Sequence, residues 1–321
     1  MTEELTDGCD VVVVGGGAAG LNGALMLARS RRSVVVIDAG EPRNAPAEGV
    51  HGMLGHDGVP PAQLLARGRD EVRRYGGEIL DGRVTGAEHG DAVFAVTLAD
   101  GHELRARRLL VTTGLVDELP DVPGVRERWG HDVIHCPYCH GYEVRDQQIG
   151  VLATNANAMH QTLLFRQLSH DVVLFTNGQD LAPEEREQLP ALAVGVVEGP
   201  VGGLVVEDDR LVGVRLADGR TVPRQAVVVA TRMVARAGFL ADLGLLVAPH
   251  PSGLGEHLVV DGTGRTDVPG VWAAGNVTDL SAQVGGAAAQ GAWAAAQLNM
   301  DLVNEDARRA VEDYRGTPVA I

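Results

Sequence analysis

Two of the three cysteines in this chain stand two residues apart with an imidazole on either side, in His135-Cys136-Pro137-Tyr138-Cys139-His140. Thiols at that spacing close a small, reducible disulfide, and a neighbouring imidazolium lowers a thiolate pKa. The segment therefore predicts thiol–disulfide exchange at Cys136 and Cys139, with His135 or His140 moving the protons. An imidazole that titrates near about 6.5 is matched to that task at neutral pH. Other readings of the same letters are weaker. Cys136-x-x-Cys139-His140 has the form of a c-type haem attachment site, which needs export, and the start of the chain carries no basic, apolar, small-residue signal. Structural zinc needs four ligands and usually a second Cys/His pair. Two buried cysteines acting as small hydrophobes would leave the pairing and the flanking histidines unexplained. Cys9, remote and alone, is read in that last way. His51, His56, His160 and His257 show no ligand spacing.

The composition narrows the setting for this chemistry. The chain has 321 residues and a net charge of −16, from 43 acidic against 27 basic side chains. That balance makes nucleic acid and anionic membrane poor partners. The longest apolar runs, such as Val11–Val14 and Val227–Ala230, are strand-sized and too short for a membrane span. A soluble, cytoplasmic protein is expected, and in a reducing compartment a lone CxxC pair points to catalysis. The length exceeds what one hydrophobic core usually serves, so two domains are expected. Glycine is abundant, at 42 residues, as in folds where backbone must approach phosphate or a neighbouring helix.

The elements that would position a cofactor are legible near the start. Val11–Val14 reads as a buried parallel strand and feeds into Gly15-Gly16-Gly17-Ala18-Ala19-Gly20. Helix-compatible residues follow from Leu21 to Arg29, and a second strand, Val34–Ile37, ends on Asp38. This is a βαβ unit with GxGxxG at its first turn. Gly15 permits the turn, Gly17 admits a pyrophosphate to the backbone, Gly20 lets helix and strand pack closely, and Asp38 would accept hydrogen bonds from a ribose.

A second copy of the module follows. Val93–Gly101 and Leu211–Gly219 both alternate apolar and polar residues up to an Ala-Asp-Gly turn. Each precedes a buried-strand run, Leu109–Gly114 in one case and Val227–Arg232 in the other. The glycine loop of the second copy should lie between the strand Ile149–Leu152 and a helix from Ala158 to Leu168. That stretch reads Ala153-Thr154-Asn155-Ala156-Asn157, with no glycine at all. After the next strand, Asp171–Phe175, comes Thr176-Asn177-Gly178, with no basic cluster for a 2′-phosphate. The fold is expected to be kept and NADPH binding to be weak or absent, with a degenerate but working loop as the alternative.

Together these features resemble the low-molecular-weight thioredoxin reductase family over essentially the whole chain. The resemblance implies an α/β fold of two Rossmann-like domains, each three-layered, the second inserted in the first. Residues 1–116 and 243–321 would bind FAD, and residues 117–242 would form an NAD(P)-binding-like domain carrying the redox pair. It implies FAD contacts at Gly15, Gly17, Ala18, Ala19, Gly20, Asp38, Ala39, Asn44, Thr113, Gly114, Gly275, Asn276, Gln283 and Val284, with no metal, and a homodimer. Gln283 heads a small-residue helix, Gly285–Ala296. Three departures stand out. Asn276 replaces the acid that normally holds the ribityl chain, Ala282 replaces an arginine, and His140 replaces the aspartate after the second cysteine. The H-C-x-x-C-H-G form resembles the dithiol oxidases that close the disulfides of gliotoxin and holomycin. The implied reaction is oxidation of a small-molecule dithiol by FAD, with O2 reoxidising the flavin. A disulfide reductase for a thioredoxin-like protein, fed by NADPH, ferredoxin or another carrier, and a flavin-bound redox sensor are the alternatives.

Overall fold

A computed structural model of the protein describes residues 8–90 and 93–316. The ends of the expected first domain, residues 1–7 and 317–321, lie outside the described residues. The chain divides into two compact units. One comprises the residues up to Arg43, Ala62–Val116, and the chain from Ala235 onward; the other comprises Asn44–Pro61 and Asp117–Val234. Ala235, Ala237 and Leu240 are buried in the core of the first unit, so a boundary at 242 would cut through that core. Residues 44–61, expected in the first domain, group with the second unit.

The first unit is built on Cys9–Val14, whose four valines are at most 4% exposed. β-branched side chains covered on both faces are what a central parallel strand requires. It pairs in parallel with Val34–Asp38 on one side and Glu103–Val111 on the other. Glu78–Asp81 extends the sheet beyond Val34–Asp38, and Val271–Ala273 runs parallel to the end of Glu103–Val111. The antiparallel strands Val84–His89 and Phe94–Leu98 add to the start of Glu103–Val111. One face of the sheet packs Val11, Val13, Val34 and Val36 against Leu21, Ala24 and Leu27 of the helix Ala18–Arg29 and against Ala294, Ala295 and Leu298 of the helix Val284–Gly316. The two helices approach so closely that a Cβ on Gly291 would lie 2.0 Å from the Ala19 carbonyl oxygen.

The last helix was expected to stop near Ala296 but continues to Gly316. Its later turns are charged, and arginines of the sheet and of the loop leading into Val34–Asp38 bind them. Arg107 lies 2.8 Å from Asp10 and 3.1 Å from Glu305, Arg108 pairs with Glu305 and Asp301, and Arg32 reaches Asp306 at 2.7 Å. Burial alone would raise the Glu305 carboxyl, but hydrogen bonds from Arg108 and Arg107 together hold it below its ordinary range. Bonds from Arg32 and Arg107 do the same for Asp306.

The second unit holds a parallel sheet in the order Gly195–Val197, Val172–Phe175, Ile149–Leu152, Ala226–Val229, Val133–Ile134. A separate antiparallel sheet of Val201–Glu207, Arg210–Leu216 and Thr221–Pro223 packs with it. The two hairpin turns noted in the sequence close in the same way. Leu98 N–H bonds the His102 carbonyl at 2.9 Å, and Leu216 N–H bonds the Arg220 carbonyl at 2.8 Å. In the first unit the returning strand runs unbroken into the parallel sheet. In the second it divides after Pro223, which has no amide hydrogen to continue a ladder. No helix among the described residues is long and apolar enough to cross a membrane.

Two outcomes follow for stability. Gly291→Ala forces the two helices of the first unit apart and should lower stability by roughly 1–3 kcal/mol, read as a lower urea midpoint at unchanged slope. The Glu305 and Asp306 carboxyls titrate lower in the folded than in the unfolded chain. Their contribution is therefore complete above the unfolded values near about 4 and is lost as pH falls through the folded ones. The thermal midpoints of wild type and Glu305→Gln should differ at neutral pH and converge in acid.

Candidate active site

Each glycine of the first loop meets a different constraint. Gly15 has φ +109°, and a Cβ there would lie 2.4 Å from the Thr112 carbonyl oxygen. A Cβ on Gly20 would lie 1.9 Å from the Gly15 carbonyl oxygen, and one on Gly16 would lie 2.4 Å from Cγ of Asp38. At Gly17, the N-cap of the helix Ala18–Arg29, a Cβ would meet nothing within 4 Å. Three of the glycines are thus demanded by the protein's own packing. The fourth faces open space at a helix N-terminus, the place where backbone N–H groups bind a pyrophosphate. Ala18 and Ala19 open the helix beside it. Thr112, which the sequence reading passed over, fastens the loop: its hydroxyl lies 3.0 Å from the Val14 carbonyl and 2.9 Å from that of Gly15.

Asp38 ends the second strand, followed by Ala39, and is 9% exposed. Its carboxylate accepts from Gly40 N–H at 3.1 Å and pairs with Arg69 of the helix Pro61–Arg74. Arg69 was also missed, because nothing in its local sequence links it to Asp38. Thr113 donates its hydroxyl to the Arg236 carbonyl at 2.6 Å, and Gly114, at φ +68°, accepts from Arg236 N–H at 2.9 Å. Asn44 groups with the second unit rather than with the other cofactor candidates.

The late glycine motif forms a second tight loop. Gly275 has φ +79°, and its N–H donates to Gln290 Oε1 at 3.1 Å. Asn276 donates its amide hydrogens to the carbonyls of Asp279, at 3.0 Å, and Ala282, at 2.9 Å. Asp279 accepts in turn from Gln290 Nε2 at 2.8 Å and from Ser281. Burial would raise the Asp279 carboxyl, but the Ser281 and Gln290 bonds together hold it below its ordinary range. Gln283 supplies the carbonyl that accepts from Ala287 N–H at 2.8 Å, and Val284 begins the long helix. An aspartate at 276 could accept from a hydroxyl but could not make these two donations.

The redox pair lies in the second unit. Val133–Ile134 is an edge strand, and the chain leaves it through His135 into the single helical turn Pro137–His140, with Cys136 as N-cap and Pro137 at its first position. Cys136 and Cys139 form a disulfide with Cα atoms 5.3 Å apart. Cys139 is exposed, and Cys136, His135 and His140 are half-buried. A Cβ on Gly141 would lie 2.2 Å from the Pro137 carbonyl oxygen, so the glycine after His140 keeps the turn compact. His135 Nδ1 lies 3.1 Å from the Val229 carbonyl oxygen, which can only accept. Nδ1 therefore carries the hydrogen, and in the neutral ring the lone pair is on Nε2. Cys9 takes no part: burial and then the neighbouring Asp10 push its thiol up to about 12. No cluster of metal-ligating side chains occurs among the described residues.

Residues 9–296 match the pyridine nucleotide-disulphide oxidoreductase family. The chain belongs to that family. Thioredoxin reductase tcpT of Claviceps purpurea (strain 20.1) is 33% identical over 282 residues, which cover 83% of this chain and 86% of the relative. Thioredoxin reductase aclD of Aspergillus oryzae (strain ATCC 42149 / RIB 40) is 31% identical over 83% of this chain and 88% of its own. The crystal structure of HlmI matches with a TM-score of 0.90 and 51% identity over 96% of both chains. The protein is an FAD-dependent thiol–disulfide oxidoreductase with the two Rossmann-type domains of thioredoxin reductase-like proteins.

The corresponding loop of the second unit has no glycine and is held by its own side chains. Between Ile149–Leu152 and the helix Ala158–Arg166, Asn155 Oδ1 accepts the Asn157 N–H at 2.9 Å, and Thr154 donates its hydroxyl to the Ala230 carbonyl at 2.9 Å. Gln179, just past the strand Val172–Phe175, donates to the Ala153 carbonyl at 3.2 Å. A backbone donor at the helix entrance is thus already paired within the loop.

Asn276→Asp offers a test of the late loop. It places a carboxylate against two part-buried carbonyls and removes the donor each accepts from, at roughly 1 kcal/mol for each lost hydrogen bond. A lower melting temperature and weaker retention of FAD on dilution are expected, even though the change restores the acid usual at this place.

Proposed function

We propose that this oxidoreductase converts a small-molecule dithiol to an intramolecular disulfide, with O2 as the final acceptor and H2O2 as the second product. The observation that carries the reading is the second loop. Its glycines are gone, and Asn155 caps the Asn157 N–H that a nucleotide pyrophosphate would need. Electrons then enter from the thiol substrate, as the H-C-x-x-C-H-G resemblance to the dithiol oxidases also suggests.

The residues fit FAD, because Gly17 leaves a backbone approach open and Asp38 and Asn276 offer acceptor oxygens for hydroxyls. We assign the pyrophosphate to Gly15, Gly17, Ala18, Ala19 and Gly20, the adenosine ribose to Asp38 with Ala39, and the ribityl and ring contacts to Thr113, Gly114, Gly275, Asn276, Gln283 and Val284. FAD, when bound, would supply a two-electron acceptor for the reduced cysteines that oxygen can reoxidise. The chain's own groups do the sulfur chemistry. His135 Nε2 takes the proton of the first substrate thiol, the thiolate attacks Sγ of Cys136, and Cys139 leaves as a thiolate. The second substrate thiol gives up its proton, attacks the substrate sulfur of the mixed disulfide and releases Cys136. The substrate loses two electrons and two protons, and the Cys136–Cys139 bond is reduced. His140 is the alternative base.

The names of tcpT and aclD favour a second reading, a disulfide reductase for a thioredoxin-like protein. One anaerobic experiment separates the readings. NADPH should leave the visible band of the bound flavin intact, and dithiothreitol should bleach it, with peroxide appearing when air is admitted. Rapid bleaching by NADPH would overturn the oxidase, reduction by a protein carrier alone would support the reductase, and stoichiometric oxidation without turnover would mark a sensor. Cys136→Ser and Cys139→Ser should each abolish turnover with FAD still bound; activity in both variants removes the cysteines from the reaction.

A further inference from the structure

Gln161 belongs to the helix that begins where the nucleotide loop was lost, and it is 2% exposed. Its Nε2 donates to the backbone carbonyl of His135 at 3.0 Å and lies 3.5 Å from the carbonyl of Val229, the group that also accepts from His135 Nδ1 at 3.1 Å. Reversing the amide would set Oε1 against two carbonyl oxygens, so the partners fix its orientation. In that orientation Oε1 is buried with no partner among the described residues. An unpaired buried amide oxygen is a stability cost that a leucine of similar size avoids. The donating end of Gln161 must therefore account for its presence.

We propose that Gln161 is a positioning residue for the base of the thiol reaction. It ties the backbone of His135 to the carbonyl that the ring bonds. The three groups form a closed arrangement that keeps the hydrogen on Nδ1 and the lone pair on Nε2. The histidine then enters the reaction already in the tautomer that can accept the substrate proton, without a ring rotation before each turnover. The proposal rests on the reading of His135 as the base, and the test separates the two.

The FAD-loaded enzyme is mixed anaerobically with dithiothreitol across the pH range in which a histidine titrates, and the rate of flavin bleaching is followed. Wild type should show an inflection in that range, and His135→Gln should lose it. Gln161→Leu should slow bleaching at neutral pH by tenfold or more, distort or remove the same inflection, and leave the dithiol concentration for half-maximal rate unchanged. Gln161→Met, which keeps the length without a donor, should behave alike. His135→Gln/Gln161→Leu should be no slower than His135→Gln alone, because residues acting as a unit are not additive. A wild-type profile in Gln161→Leu, normal rates in Gln161→Met, or losses that multiply in the double variant would overturn the positioning role while leaving His135 as the base. A wild-type profile in His135→Gln would overturn both.

Discussion

The constraint on which the first unit depends is the lack of room between its first strand, its first helix and Thr112. The Gly15 carbonyl lies where a Cβ of Gly20 would be, and the Thr112 carbonyl lies where a Cβ of Gly15 would be. Strand, turn and helix therefore meet with backbone against backbone, and the helix N-terminus is aimed at the end of the sheet. The same economy of volume recurs where Gly291 of the last helix touches Ala19. Small residues on one face of that helix let a late segment of the chain reinforce the early turn. The cofactor loop is thereby held from both ends of the sequence.

The second unit shows what happens when that requirement is relaxed. The strand order and parallel ladders remain, but the loop between Ile149–Leu152 and Ala158–Arg166 is stabilised by its own side chains, Thr154 and Asn155, rather than by space kept for a ligand. One backbone donor of this loop, the Asn157 N–H, is satisfied internally by the Asn155 side chain. The helix that follows is then free to serve the neighbouring edge strand, where Gln161 meets the histidine before Cys136. The loop and the helix after it are thus each tied to the sheet by side-chain hydrogen bonds, Thr154 to Ala230 and Gln161 to His135.

Much of this fold is legible in the sequence, and the reasons are physical. Four valines in a row, glycines at loop spacing and an acid at a strand end are local signals, set by burial and backbone sterics within a few residues. The hairpin turns were legible because an Ala-Asp-Gly sequence fixes a turn on its own. The partners of those residues were not. Arg69 beside Asp38, Thr112 behind Gly15, Gln290 under Gly275 and Gln161 beside His135 are brought together by tertiary packing across gaps of 15 to 97 residues. The extension of the last helix past Ala296 is hidden because, beyond Leu298 and Leu302, its later turns are held by ion pairs to distant arginines. The place of residues 44–61 was hidden because no local feature marks a change of unit.

Burial beside Asp10 takes Cys9 out of sulfur exchange. With its thiol pushed up to about 12, Cys9 carries almost no negative charge at physiological pH and is a poor attacker of any sulfur–sulfur bond. In the proposed reaction, a mixed disulfide between Cys136 and substrate is thereby left to Cys139 or to the substrate's own second thiol. The third cysteine is thereby kept from scrambling an exchange at the Cys136–Cys139 disulfide.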